Sequence, residues 1–234
     1  ETQELEVPEE PQTDWPTFHG NNARTGFSAS KAPSKPNVLW KWTLNDFMKV
    51  GYDGNIDESW PIIDGNKVFF AAENIFAFEL KTGNKVWSYS EEGNFYPRGL
   101  AAGDGKLFVT VNSDDNYASS NVNLPPGMIY ALDEKTGKFL WKFKTGKGIP
   151  YSLPLFAENK VFIGDNSGSV YAIDADSGEL AWKKQLGDAK VIHSSPAFYK
   201  GIIFIGTEDS IGQSSKPSHL YALNPENGEE VWKF

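Results

Sequence analysis

The chain has 234 residues, 39% of them hydrophobic and 14% aromatic, enough to bury a sizeable core and unlike collagenous, disordered or membrane compositions. A formal charge of −9 makes nucleic acid a poor partner, and no run approaches the roughly eighteen apolar residues of a membrane helix. With no cysteine, disulfides and thiolate chemistry are excluded, while the compartment stays open.

Residues 1–13 are acidic and contain proline, and read either as a linker that holds a domain off an anchor or as a disordered end. Beyond an aromatic segment at 14–28, Val38-Leu39-Trp40-Lys41-Trp42-Thr43-Leu44 reads as an isolated strand, matching Leu180 to Leu186 further along. Repeats then begin. Ala77…Gly83…Trp87, Ala131…Gly137…Trp141, Ala172…Gly178…Trp182 and Ala222…Gly228…Trp232 all step six positions from Ala to Gly and four from Gly to Trp.

Each position has a physical task. The aromatic or aliphatic run ending in Ala reads as a strand, with Ala where a neighbour approaches too closely for a larger side chain. In the turn that follows, Glu79, Asp133, Asp174 or Asn224 accepts backbone N–H groups, Thr82, Thr136, Ser177 or Asn227 does the same, and Gly supplies a positive φ. The next strand carries the tryptophan, and one indole per repeat at a fixed address predicts a docking pocket between neighbours. Two more strands lie upstream in every copy, so each repeat has four, A to D. Tryptophan spacings of 54, 41 and 50 residues then give the signature of an all-β propeller blade, and period-two patterning excludes a helical solenoid. Antiparallel blades are expected at about 59–90, 98–145, 151–187 and 194–234.

The pattern A-x-[DEN]-x-x-[TSN]-G-x-x-x-W resembles the tryptophan-docking motif of the PQQ-like β-propellers, which include quinoprotein alcohol dehydrogenases and the outer-membrane assembly lipoprotein BamB. The resemblance covers residues 14–234 and speaks to fold more than to function, since one fold hosts many sites. It implies that 14–28 is the segment preceding the first blade, where Trp15 and Phe18 cover the propeller edge and His19 and Arg24 are not ligands. It also implies seven or eight blades. The four visible copies are thus expected to be half of a larger ring or to pair with another chain, because open sheet faces invite association.

Departures from the shortest repeat mark a candidate binding face. Blade three joins strands B and C through Asp165-Asn-Ser-Gly168, whereas blade two inserts 112–127 and blade four 208–218. In an up-and-down blade the B–C and D–A connections share one rim. Asp114, Asp115 and Tyr117 are therefore expected beside Tyr96, Arg98, Tyr151 and His193 at the starts of strand A, with Phe95 adding to the aromatic surface. Loops also lengthen without acquiring function.

Catalytic readings are weaker. Resemblance to the quinoprotein dehydrogenases implies a quinone over Ca²⁺, a disulfide between adjacent cysteines and an Asp base, but the chain has no Cys and no clear counterpart of the calcium-ligating Glu, Asn and Asp. Asp53-Gly-Asn55-Ile-Asp57-Glu58 alternates oxygen ligands, yet Glu58 stands where an EF-hand needs Gly and Asp64 where it needs Glu, so a solvated turn is the better reading. His19, His193 and His219 lack metal-ligand spacing, His193-Ser194-Ser195 lacks a nucleophile elbow, and the adjacent Asp114 and Asp115 cannot hold an acid–base separation. The sequence points to a non-catalytic scaffold, secreted, periplasmic or on the cell surface, with no cofactor or metal and a protein or polysaccharide partner. A PQQ- and calcium-dependent alcohol or sugar dehydrogenase fragment is the alternative.

Overall fold

The computed structural model describes residues 14–28, 38–43, 46, 60–92, 95–112, 125–149, 152–187, 194–207 and 218–234. Blade one contains β1 (Ile62–Asp64), β2 (Lys67–Ala71), β3 (Ile75–Glu79) and β4 (Lys85–Tyr89). Blade two contains β5 (Tyr96–Gly103), β6 (Lys106–Asn112), β7 (Met128–Asp133) and β8 (Phe139–Lys144). In blade three lie β9 (Leu155–Ala157), β10 (Lys160–Gly164), β11 (Ser169–Asp174) and β12 (Leu180–Gln185), and in blade four β13 (Ala197–Tyr199), β14 (Ile202–Gly206), β15 (Leu220–Leu223) and β16 (Glu230–Lys233).

Every sheet is antiparallel with its strands in simple sequence order. The A strands lie against one another, β1 beside β5, β5 beside β9 and β9 beside β13, whereas Val86, Leu140 and Leu180 on the D strands are exposed. The sheets are therefore radial propeller blades with strand A at the axis. Apolar clusters fill the three interfaces between blades, centred on Phe69 and Leu107, on Phe108 and Ile163, and on Phe162 and Ile203. No helix among the described residues is long and apolar enough to cross a membrane.

Register explains the repeated alanine. Ala77, Ala131, Ala172 and Ala222 stand directly across the ladder from Trp87, Trp141, Trp182 and Trp232, where only a methyl group leaves room for an indole. A register shift follows each alanine and re-aims the D strand.

Each buried indole leaves its own blade. The Nε1–H of Trp87 donates to the Glu134 carbonyl at 3.1 Å, that of Trp141 to Ala175 at 3.1 Å and that of Trp182 to Pro225 at 2.9 Å. In every case the acceptor precedes the next blade's turn glycine by three residues, and the ring lies flat on that glycine, Gly137, Gly178 or Gly228. Trp40 repeats the arrangement on blade one, donating to Leu80 O at 2.8 Å with its ring on Gly83.

Trp42 adds a bond to Gly83 O and packs 4.7 Å from Phe78. The sequence makes 38–44 a strand, but residues 38–43 form no ladder among the described residues. A fourth strand needs a third to pair with, and here both indoles of the segment bond blade one's turn. Trp232 ends the series, 42% exposed against 8–9% for Trp87, Trp141 and Trp182.

Candidate functional site

The innermost strands are bridged by an N-terminal segment of the chain. Trp15 and Ile63 exchange backbone bonds of 2.7 and 2.8 Å, Thr17 bridges Ala101, and Ala102 N–H donates to Pro16 O at 2.7 Å. Two turns follow, closed by Gly20 N–H to Thr17 O and Arg24 N–H to Asn21 O, and Phe198 N–H then donates to Asn22 O at 2.7 Å. Segment 14–24 thus runs as a strap across the inner strands of blades one, two and four.

Arg24 fastens the strap to blades three and four. Its guanidinium donates to the carbonyls of Pro196, Phe18 (3.1 Å), Pro154 (3.3 Å) and Leu153 (3.5 Å). Burial pulls its pKa down to about 10, so it remains a cation at neutral pH, its charge met by backbone dipoles. Phe18 lies 4.0 Å from the His19 ring and 5.6 Å from Trp60. His19 has φ 62° and a ring contact, consistent with a turn residue.

The end of the blades where strand A begins is the loop rim. Tyr96 and Arg98 lie there, half-buried, at the start of β5, with the ladder interrupted between Pro97 and Leu100. Asp114, Asp115, Tyr117, Tyr151 and His193 lie outside the described residues. Phe95, read from the sequence as part of the aromatic surface, is instead core. It is 6% exposed and meets Tyr130 edge-on at 5.5 Å, because the interface between blades one and two draws it inward.

Polar side chains fix this rim. The Asn112 amide exchanges two 3.0 Å bonds with the backbone of Ile149, which anchors the start of blade two's long B–C connection. Buried Asp165 accepts from the Tyr171 hydroxyl at 2.8 Å and from Lys147 N–H at 3.1 Å. Ser195 Oγ accepts from Leu153 N–H, and Ser152 Oγ donates to Ser194 O, so both hydroxyls join strand starts.

Glu91 accepts from Tyr130 (2.8 Å) and Tyr89 (2.9 Å), with Lys142 at 3.4 Å. Partial burial opposes ionisation of Glu91, but these donors outweigh it and hold its carboxyl below the usual range. Burial and the same carboxylate push both phenols up. Tyr130 thereby pins the connection leaving blade one, and Tyr171 pins the one leaving blade two by accepting from Gly146 N–H at 2.9 Å. The first two interfaces are held at both ends, by tryptophan at one rim and tyrosine at the other. Tyrosine's position in the third strand of three repeats was the available signal in the sequence for this second pin.

At the opposite rim, formed by the A–B and C–D turns, a lysine opening strand B reaches an acid on the next blade's turn. The pairs are Lys67–Glu134 (3.0 Å), Lys106–Asp176 (2.8 Å) and Lys160–Glu226 (2.9 Å). An open cleft of about 420 Å³ lies there, lined by Asn66, Lys67, Glu79, Asn84, Val86 and Lys135. It stands opposite the loop rim, and its mixed lysine, amide and carboxylate lining does not select one ligand charge.

Beside this cleft, burial pushes the Asp64 carboxyl up to about 6, aided by its hydrogen bond to Glu134 and by the charges of Glu134 and Asp14, with Lys67 opposing. The folded state therefore holds this proton more tightly than the unfolded chain, so stability falls as pH rises from about 4 to about 6. Asp64→Asn is expected to unfold at a higher urea concentration than the parent above pH 6, with the difference vanishing below pH 4. Equal midpoints at pH 4 and pH 7.5 would show that the pair does not couple to folding.

Among the described residues no three His, Asp or Glu side chains gather in a metal-holding group. His219 donates its backbone N–H to Thr207 Oγ1 and lies 6.0 Å from the Tyr221 ring.

A family model described as "Outer membrane protein assembly factor BamB" matches residues 125–234. The chain is similar to the tetrathionate hydrolase of Acidithiobacillus ferrooxidans, at 28% identity over 187 residues, 74% of this chain and 36% of that protein. It is also similar to the quinohemoprotein alcohol dehydrogenase of Comamonas testosteroni, at 26% identity over 168 residues, 64% of this chain and 21% of that protein. It thus spans about a third and a fifth of these curated relatives. A europium-containing methanol dehydrogenase superposes with a TM-score of 0.67 at 18% identity, over 95% of this chain and 49% of that one, a likeness of fold.

Proposed function

Because the chain is a PQQ-like β-propeller repeat protein, we propose that it is an exported, non-catalytic scaffold that holds a protein or glycan partner on its loop rim. The observation that carries this reading is the pair of lengthened B–C connections, in blades two and four, springing from strand ends that the fold fixes. Asn112 is locked to Ile149, and Gly206 exchanges bonds of 2.7 and 2.8 Å with Ser194 Oγ. Rigid roots with long loops between them suit recognition.

Tyr96 and Arg98 would supply contacts beside the first insertion, with Asp114, Asp115, Tyr117, Tyr151 and His193 completing the surface. The strap covers the inner strands of blades one, two and four. The family description, an assembly factor of the outer membrane, supports a partner at the cell envelope.

The test replaces residues 113–124 and 208–217, singly and together, by the short turn of blade three. Parent protein immobilised over envelope extract and over a glycan array is expected to retain a partner that the doubly shortened variant loses, with the thermal transition kept. Undiminished capture by the folded double variant would remove the loop rim from the argument.

The quinohemoprotein relative named above favours a second reading, a quinone-dependent enzyme built in part from this chain, and the hydrolase relative an enzyme of another kind. The described residues do not fit a bound calcium and quinone, since the carboxylates that meet, Asp64 and Glu134, are engaged with each other and with Lys67. Adding PQQ and Ca²⁺ and assaying dye reduction by alcohols, alongside hydrolysis of tetrathionate, separates the readings: turnover would replace the scaffold.

A further inference from the structure

We propose that the cleft at the turn rim of blades one and two is the docking site for this chain's own acidic segment Glu4-Leu5-Glu6-Val7, laid in extended form against Lys135 and Val86.

The strap begins beside that cleft. Trp15 exchanges two backbone bonds with Ile63, and antiparallel register sets Asp14 opposite Asp64, the last residue of β1. Asp64 bonds Glu134, and Glu134 pairs with Lys67 of the cleft lining. The chain upstream of Asp14 is thereby delivered to the turn rim, on the side away from the lengthened loops. Crossing blade one from β1 to Val86 on β4 takes three strand spacings, about 14 Å. Residues 8–13 reach about 19 Å even in the stiff extended form that Pro8 and Pro11 favour, so the four residues before them can lie in the cleft.

Charge selects this place over the rest of the rim. Residues 1–13 carry Glu1, Glu4, Glu6, Glu9 and Glu10 and no cation. Lys81, Lys85, Lys135 and Lys138 stand exposed on the C–D turns of blades one and two, and among the described residues none of the four takes part in an ion pair. Immediately after the turn glycine stand Asn84 and Lys138 in these blades, but Glu179 and Glu229 in blades three and four, which would repel the segment.

The lining matches the segment's alternation. Period two in an extended chain sets Glu4 and Glu6 on one side and Leu5 and Val7 on the other. Val86, 49% exposed, is the apolar wall of the cleft and Lys135 its cation, and the amides of Asn66 and Asn84 can meet backbone groups. The cleft's own acid, Glu79, already accepts from the Thr82 hydroxyl. A lining that picks no small ion thus suits a peptide of mixed character. Exposed pairs are weak singly, but a short tether supplies an effective concentration on the order of mM, so an intrinsic affinity of about 1 mM fills the site.

The cysteine-free chain allows a single nitroxide at Gln3→Cys. The amide signals of Asn84, Val86 and Lys135 are expected to broaden, and those of Glu179 and Glu229 to stay sharp. Lys135→Glu is expected to weaken docking about three- to tenfold, because it turns an attraction into a repulsion of similar size. Glu4→Lys with Glu6→Lys is expected to do the same, and all three changes together to restore the broadening. As a second measurement, carbodiimide treatment of the parent, which joins carboxylates to amines in direct contact, is expected to yield a peptide coupling Glu4 or Glu6 to Lys135. The proposal is overturned by sharp signals around the cleft, by the absence of the coupled peptide, or by broadening that ignores the charge reversals. It is also overturned by equal broadening when the nitroxide-bearing chain is mixed with isotope-labelled chain lacking the nitroxide, which would make a second copy the occupant. Shortening the loop-rim insertions leaves these readouts unchanged, so failure here and failure of the scaffold reading are separate results.

Discussion

Arg24→Ala is expected to lower the stability of the chain by roughly 3–5 kcal/mol, the range for leaving buried partners of a lost charged group unsatisfied. Its guanidinium serves carbonyls at Phe18, Leu153, Pro154 and Pro196, three of them more than a hundred residues away in sequence. Lysine presents a point charge that cannot span these acceptors, so Arg24→Lys is expected to recover less than half of the loss. Denaturant unfolding measures the magnitude, and amide exchange locates it: protection should fall first over Ala197–Tyr199, where Phe198 N–H bonds Asn22 O. A loss below about 1 kcal/mol, the scale of one exposed hydrogen bond, would show that the strap rests on Trp15 and Thr17 without its clasp.

Gly178→Ala is expected to be nearly as damaging as Trp141→Ala, which should cost about 3–5 kcal/mol. Gly178 has φ 75°, and a Cβ there would stand 2.6 Å from the Trp141 ring, so the methyl group and the indole cannot share the site. Gly105 supplies the control. It has φ 69° but nothing within 4 Å of where a Cβ would stand, so Gly105→Ala should cost only about 1 kcal/mol of backbone strain. Combining Gly178→Ala with Trp141→Ala should cost far less than the sum, because either change already empties the same contact. Additive losses in that double-mutant cycle would mean that glycine and indole act independently.

The blades were legible because their information is local. Ala172, Asp174, Ser177, Gly178 and Trp182 lie within one hairpin, and the Asp174 carboxylate accepts from Ser177 N–H at 2.8 Å inside that turn. The turn's chemistry can therefore be read from consecutive residues. Where the indole goes was only half legible: spacing announces a pocket, but the acceptor three residues before a glycine in the next repeat depends on how sheets stack.

The strap was less legible still. Trp15 and Phe18 could be assigned to an edge, yet nothing near Arg24 in sequence indicates Pro154 or Pro196, since its partners are backbone carbonyls, which every residue owns. The lysine–acid series was hidden for a related reason. Lys67 and Glu134 are unremarkable alone, and only the alignment of three interfaces gives them meaning. As for the proposed binding surface, Tyr96 and Arg98 are seen on the loop rim, while Phe95 shows that an aromatic residue at a strand start can serve the core instead.

Trp40, Trp87, Trp141 and Trp182 all lean toward the repeat that follows, and this gives the chain a direction of growth. On a ribosome, a blade that has just emerged can close its four strands at once, but its tryptophan stays wet until the succeeding hairpin arrives to receive it. Nascent intermediates would carry a single sticky leading edge that moves along the polypeptide as synthesis proceeds, so chaperone demand would track the newest blade and pass by those already sealed behind it.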